Sequence, residues 1–164
     1  MVVSVCVSEE KKRLFDVSLE DQNFGSNTPK NEHERRVAIS DLLKENRFWV
    51  IGDNRGPYSL RLLREDNRLN FEITAAEGSP VSEVPVSLGR LRKIIRDYSA
   101  ICETYYGAIK TTTPAKLEVI DMGRRGLHDE AAALLRGKLE KWVDIDQRTA
   151  RGLFTLICVL YART

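Results

Sequence analysis

The spacing of apolar residues changes once along this chain, near residue 87, and that change limits the folds open to it. Before it, apolar side chains alternate with polar ones or gather in short β-branched and aromatic runs; after it, they recur every three or four residues. Strands first and helices second is the pattern of an α+β domain whose helices cover one face of a sheet. The expected fold is a small antiparallel β-meander of about four strands packed against a C-terminal group of three to four α-helices.

Residues 14–19 alternate Phe15, Val17 and Leu19 with Asp16 and Ser18, as a half-buried strand does. Residues 21–31 are polar, with Gly25 and Pro29, and read as a loop. Val37, Ala38, Ile39, Leu42 and Leu43 then place an amphipathic helix over 31–46, with Asn46 where it stops. Strands are expected over 48–51, 58–64, 69–75 and 81–86, separated by short Gly, Pro, Asn and Asp turns that favour antiparallel neighbours. Leu88, Leu91, Ile95, Tyr98, Cys102, Tyr105 and Ile109 mark a long helix with Ser87 as its N-cap. It ends at Thr111 to Thr113, and Pro114 or Ala115 opens the next one. Gly123 and Gly126 are expected to interrupt that segment at about 1 kcal/mol each. Asp144 or Asp146 caps a last helix, whose stretch 153–160 is apolar nearly all round and should be the most buried element.

At 164 residues the chain can bury a core without staples, and residues 14–164 are expected to form one domain behind a flexible arm, 1–13. Cys6, Cys102 and Cys158 are an odd count without a close pair, which argues against a disulfide framework and against a zinc knuckle. The longest uncharged apolar stretch, 153–160, is far short of the ~20 residues that span a bilayer. With no signal-peptide pattern at its start, the protein is expected in the cytoplasm.

Charge is divided unevenly. Residues 1–87 carry 12 Lys and Arg against 15 Asp and Glu, whereas 88–164 carry 14 against 9. A basic helical half suits anionic ligands, but the aromatic interleaving and groove-reading motifs of nucleic-acid domains are missing, so nucleic acid is not an expected partner. On the long helix, Arg92, Arg96, Ser99, Glu103, Tyr106 and Lys110 fall within roughly 40° of one another and form one polar stripe. Arg92 and Arg96 are like charges one turn apart, and complementary groups must come from elsewhere: carboxylates of the acidic half, or an anionic ligand.

Met122-Gly123-Arg124-Arg125-Gly126-Leu127-His128-Asp129-Glu130 is the one stretch where unusual backbone and unusual charge coincide. Freed amides beside two arginine forks make an anion-binding geometry. The bland alternative is a kink whose arginines pair with Asp121, Glu118 or Asp129. A P-loop is excluded, because no Gly-Lys-Ser or Gly-Lys-Thr follows a strand. His128, Asp129 and Glu130 point about 100° apart on a helix and cannot converge on one atom. Glu32-His33-Glu34-Arg35 has the same limit and lacks the second histidine of a helical zinc site. No catalytic residue, metal ligand or cofactor is therefore assigned; the candidate anion or partner site is Arg92, Arg96, Glu103, Tyr106, Arg124, Arg125 and His128. Three readings remain: a binding or regulatory protein for an anionic small molecule or an acidic protein surface, a small enzyme with a histidine acid/base and an arginine clamp, and a structural homodimer.

The runs Glu32-His33-Glu34-Arg35, Gly56-Pro57-Tyr58, Ile101-Cys102-Glu103 with Tyr105-Tyr106, Met122 to His128, and Phe154 to Leu160 together resemble a bacterial uncharacterised protein family, number 0262. The likeness covers about residues 14–161. It implies a bacterial cytoplasmic setting and carries over no activity, ligand or catalytic residue.

Overall fold

The computed structural model describes residues 6–21 and 29–161, with the backbone alone for 29–31. Its elements are β1 (Leu14–Asp21), α1 (Pro29–Lys44), β2 (Phe48–Val50), β3 (Tyr58–Glu65), β4 (Arg68–Ala75), β5 (Pro80–Ser87), α2 (Arg90–Ala108), α3 (Pro114–Leu139), β6 (Val143–Ile145) and α4 (Gln147–Tyr161). The main sheet runs β1-β3-β4-β5. One face carries Leu14, Val17, Leu19, Tyr58, Leu60, Leu62, Leu69, Phe71, Ile73, Val84 and Val86, all buried under the helices. The other is solvated, and there Arg61 holds Glu20 at 2.7 Å and Glu72 at 3.0 Å, tying three strands together. The α+β class is as the sequence indicates, and α4 is the most buried helix, with Leu153, Phe154, Leu156 and Ile157 wholly enclosed.

Membership of the sheet differs from the expected meander in two ways. Strands β3, β4 and β5 are antiparallel neighbours, but β1 lies parallel to β3. The connection between them contains α1, and a strand that returns through a helix arrives parallel. Residues 48–50 leave the sheet altogether and pair antiparallel with β6, Phe48 opposite Ile145 and Val50 opposite Val143. Arg47 fixes that clasp: its guanidinium reaches Asp144 at 3.1 Å and its amide donates to Thr149 Oγ1 at 2.8 Å. Residues 8–13 lie against the same place. Lys12 O accepts the Phe48 amide and Arg13 O accepts the Tyr58 amide, while residues 1–5 of the expected arm lie outside the described residues.

The helix ends follow local chemistry with one exception. Thr113 caps α3 through Lys116 N at 3.3 Å, with Pro114 in the first turn, and Asp146 accepts from Thr149 N at 2.8 Å at the start of α4. Ser87 does not cap α2. It closes β5, and Gly89, at φ 43°, turns the chain into the helix instead. Among the described residues no helix is long and apolar enough to cross a membrane.

Candidate functional site

Gly123 and Gly126 do not interrupt a helix: α3 is continuous from Pro114 to Leu139. A Cβ on Gly123 would stand 2.9 Å from Ile101 Cδ1, the free end of a side chain on α2 that would have to shift, and the helix runs on through this position. The backbone amides on either side are therefore spent in the helix, and the freed-amide anion site does not form. Its arginines are occupied as well. Asp121 takes Arg124 at 2.6 Å on one carboxylate oxygen and Arg125 at 3.1 Å on the other.

Arg124 and His128 face inward, toward a junction of α2, α3 and α4. The Arg124 guanidinium lies over the Tyr105 ring, 5.1 Å from its centroid. The His128 ring meets Tyr98 and Phe154 edge-on, each at 5.3 Å, and Tyr98 meets Phe154 at 5.4 Å. Thr155 Oγ1 donates to Arg151 O at 3.1 Å, so at 3.0 Å it accepts the Nε2 proton of His128. Nδ1 is then an unprotonated, buried nitrogen with no hydrogen-bond partner among the described residues. Burial, together with the charges of Arg151 and Arg124 and against that of Asp129, lowers the imidazole to about 4. Burial likewise pushes the Tyr98 phenol up to about 12, and raises the thiols of Cys102 and Cys158. The junction is thus a set of uncharged polar groups beside one paired arginine.

That arrangement sets a pH dependence. Unfolded His128 takes a proton as pH falls through about 6.5, whereas the folded ring resists until about 4. Stability should be full above the first value, fall between the two and level off below the second. The expected loss is about 2 kcal/mol, discounted because the ring is only partly shielded. Urea unfolding of the parent and His128→Gln should diverge across that interval; curves that stay parallel would show that the imidazole is not held neutral.

The remaining candidates lie elsewhere. Arg92, Arg96, Glu103 and Tyr106 form an exposed stripe along the outer side of α2, with Tyr106 69% exposed. Arg92 donates to Asp66 O at 3.2 Å. The stripe lies on the outer side of α2 and the Arg124–His128 pair on its inner side, while two shallow depressions lie on α1, lined by Arg36, Ile39, Ser40, Leu43 and Lys44, and by neighbours from His33 to Lys44. His33 is exposed there on α1, whereas the neighbours of His128 are Tyr98, Phe154 and Thr155. Among the described residues no three His, Cys, Asp or Glu side chains are grouped to hold a metal ion. Sequence reasoning missed that Tyr98, Phe154 and Thr155 surround His128. The signal was faint: Tyr98 with Cys102, and Phe154 with Cys158, each four residues apart on an inward helix face.

The geometry defines an α+β protein, a four-stranded sheet and a two-stranded one under α1 to α4, with a neutral polar junction inside its helices and a charged stripe outside them. The chain belongs to the uncharacterised protein family UPF0262, whose model matches residues 11–163. It is 50% identical over 150 residues to a UPF0262 protein of Hyphomonas neptunium, covering 92% of this chain and 93% of that one. UPF0262 proteins of Brucella anthropi and Brucella canis are each 51% identical over 152 residues, covering 92% of this chain and 94% of theirs. No solved structure matches.

Proposed function

We propose that this is a binding protein whose outer α2 face, carried by Arg92, Lys93 and Arg96, docks on an acidic protein surface. One contrast supports the reading. Arg47, Arg55, Arg61, Arg64, Arg68, Arg90, Arg124, Arg125, Arg148 and Arg151 are all paired with carboxylates. Arg92, Lys93 and Arg96 have no carboxylate ion pair among the described residues, as Arg13, Arg36 and Arg136 have none, but these three alone stand together, exposed on one side of one helix. Exposed cations without partners steer and orient an anionic surface. A curved macromolecular partner suits the site better than a small anion, because the stripe lies on a convex helix and not in a cleft.

Fluorescence anisotropy with a labelled polyglutamate peptide should report binding that weakens as salt is added. In the double variant Arg92→Glu, Arg96→Glu the affinity should fall at least about tenfold, with circular dichroism unchanged. Equal binding by parent and variant would sink the reading. Stabilisation by inorganic phosphate that the same variant abolishes would reassign the face to a small anion.

A further inference from the structure

The outer side of α3 carries a second surface that the basic stripe does not use. Ala115, Val119, Met122 and Gly126 follow one another at spacings of four, three and four, which puts them on one helix face. All are exposed, Val119 by 69% and Met122 by 60%. The face lies opposite His128, where α4 meets α3, and beside Gly123, where α2 meets it one turn from Val119 and from Gly126. One turn further on the seam ends in charge, where Asp129 pairs with Arg151 and Glu130 with Arg90. We propose that a second copy of this chain covers the seam, α3 lying antiparallel against its counterpart about a twofold axis near residues 120 and 121.

The register follows from the extent of the seam and from its flanking charges. Covering all of it sets Ala115 opposite the partner's Gly126 and Val119 opposite the partner's Met122, so the large side chains meet at the centre and the small ones at the ends. In such a pairing the residues just before Val119 and Gly126 flank the contact on one side. The twofold then brings Glu118 beside the partner's Arg125, twice. Glu118 has no ion-pair partner among the described residues, and Arg125, its side chain 57% exposed, is paired with Asp121 through Nε at 3.1 Å. A slip of one heptad would instead face Arg125 with the partner's Arg125 and draw Asp129 into the apolar seam. The charges therefore select one register and oppose the next.

The bulk of each chain also fits this arrangement. The buried residues of α3 are Ala131, Ala132, Leu135 and Leu139, so the two bodies lie at opposite ends of the paired helices, each beyond the other's hairpin tip. The seam is about 18 Å long and alone falls short of the ~800 Å² per partner of a stable contact. Ala100, Thr104 and Gly107, small and exposed, line the adjoining flank of α2 and allow the two hairpins to close face to face as four helices.

Light scattering after size exclusion, run on the full chain over a hundredfold concentration range, should show a dimer that Met122→Glu converts to monomer. Glu118→Arg and Arg125→Glu should each raise the dimer dissociation constant about tenfold, and the two together should restore it. A parent protein that stays monomeric throughout, a dimer that survives Met122→Glu, or a double variant no tighter than the singles would overturn the proposal.

Discussion

Gly56→Ala is expected to cost about 3 to 5 kcal/mol of folding stability, enough to unfold much of a typical domain near its working temperature. A Cβ at this position would stand 1.7 Å from the carbonyl oxygen of Lys11 and 2.8 Å from its carbonyl carbon. Both are backbone atoms, and they cannot easily withdraw. Lys12 O and Arg13 O, the next two carbonyls, accept from Phe48 N at 3.0 Å and Tyr58 N at 2.9 Å, and Lys11 Nζ reaches Asn54 O at 3.1 Å. Relief of the clash would break the hydrogen bonds that seat residues 8–13 between β2 and β3. Gly137→Ala is the matched control, because it lies in α3 with nothing within 4 Å of the new atom. There the same change should stabilise by about 0.5 to 1 kcal/mol through helix propensity. Chemical denaturation of the two variants should move in opposite directions; a Gly56→Ala midpoint equal to the parent's would show that the approach of residue 11 is not fixed.

Asn46→Ala should cost about 2 to 3 kcal/mol, from one side chain that acts as a strand partner. Its Oδ1 accepts the Leu14 amide at 2.8 Å, and its Nδ2 donates to Leu14 O at 3.1 Å and to Leu42 O at 3.1 Å. Leu14 is fully buried, so alanine would strand both of its backbone groups away from water. Asn46→Asp separates the two halves of this role. It keeps the acceptor for Leu14 N but sets a carboxylate oxygen against two carbonyls, and should be no better than alanine at neutral pH. If acidification through the carboxyl range recovers no stability in Asn46→Asp relative to Asn46→Ala, the donor half of the bridge carries nothing.

Position 46 also shows how far the sequence could be read. Asparagine at the end of a helical pattern marks a stop, and α1 does stop there; that it also completes the pairing of β1 depends on a strand 32 residues away. Local signals were legible in the same way at Pro114, at Asp146, and in the exposed stripe from Arg92 to Lys110, where one element's own geometry decides the outcome. Contacts that join distant segments were not. Phe48–Val50 and Val143–Ile145 are three-residue strands nearly a hundred positions apart, too short to show a period and paired only because the tertiary fold brings them together. The parallel entry of β1 was within reach, since an expected helix between two strands already implies a crossover. Gly123 misled for a physical reason: glycine weakens a helix in isolation, and contacts from the rest of the fold, here Ile101 on the facing helix, decide whether the helix continues. The seven candidate residues divide accordingly, the four of the α2 stripe being placed by helix phase alone, Arg125 by Asp121 one turn before it, and Arg124 and His128 by neighbours on three helices.

From Arg96 to Glu130 no residue is fully buried, Tyr98, Cys102, Arg124 and His128 being half-buried at the junction, although the backbone is helical on both sides of the tip. The burial that holds α2 comes from Leu91, Ile94 and Ile95, and that of α3 from Ala131 onward. Each helix consequently belongs to two cooperative units. Amides in the tip half of the hairpin should exchange with solvent through local opening, at a free energy below that of global unfolding, while those near Leu91 and Leu135 wait for the whole molecule to open. The hairpin is the part of this protein whose order depends most on what lies against it.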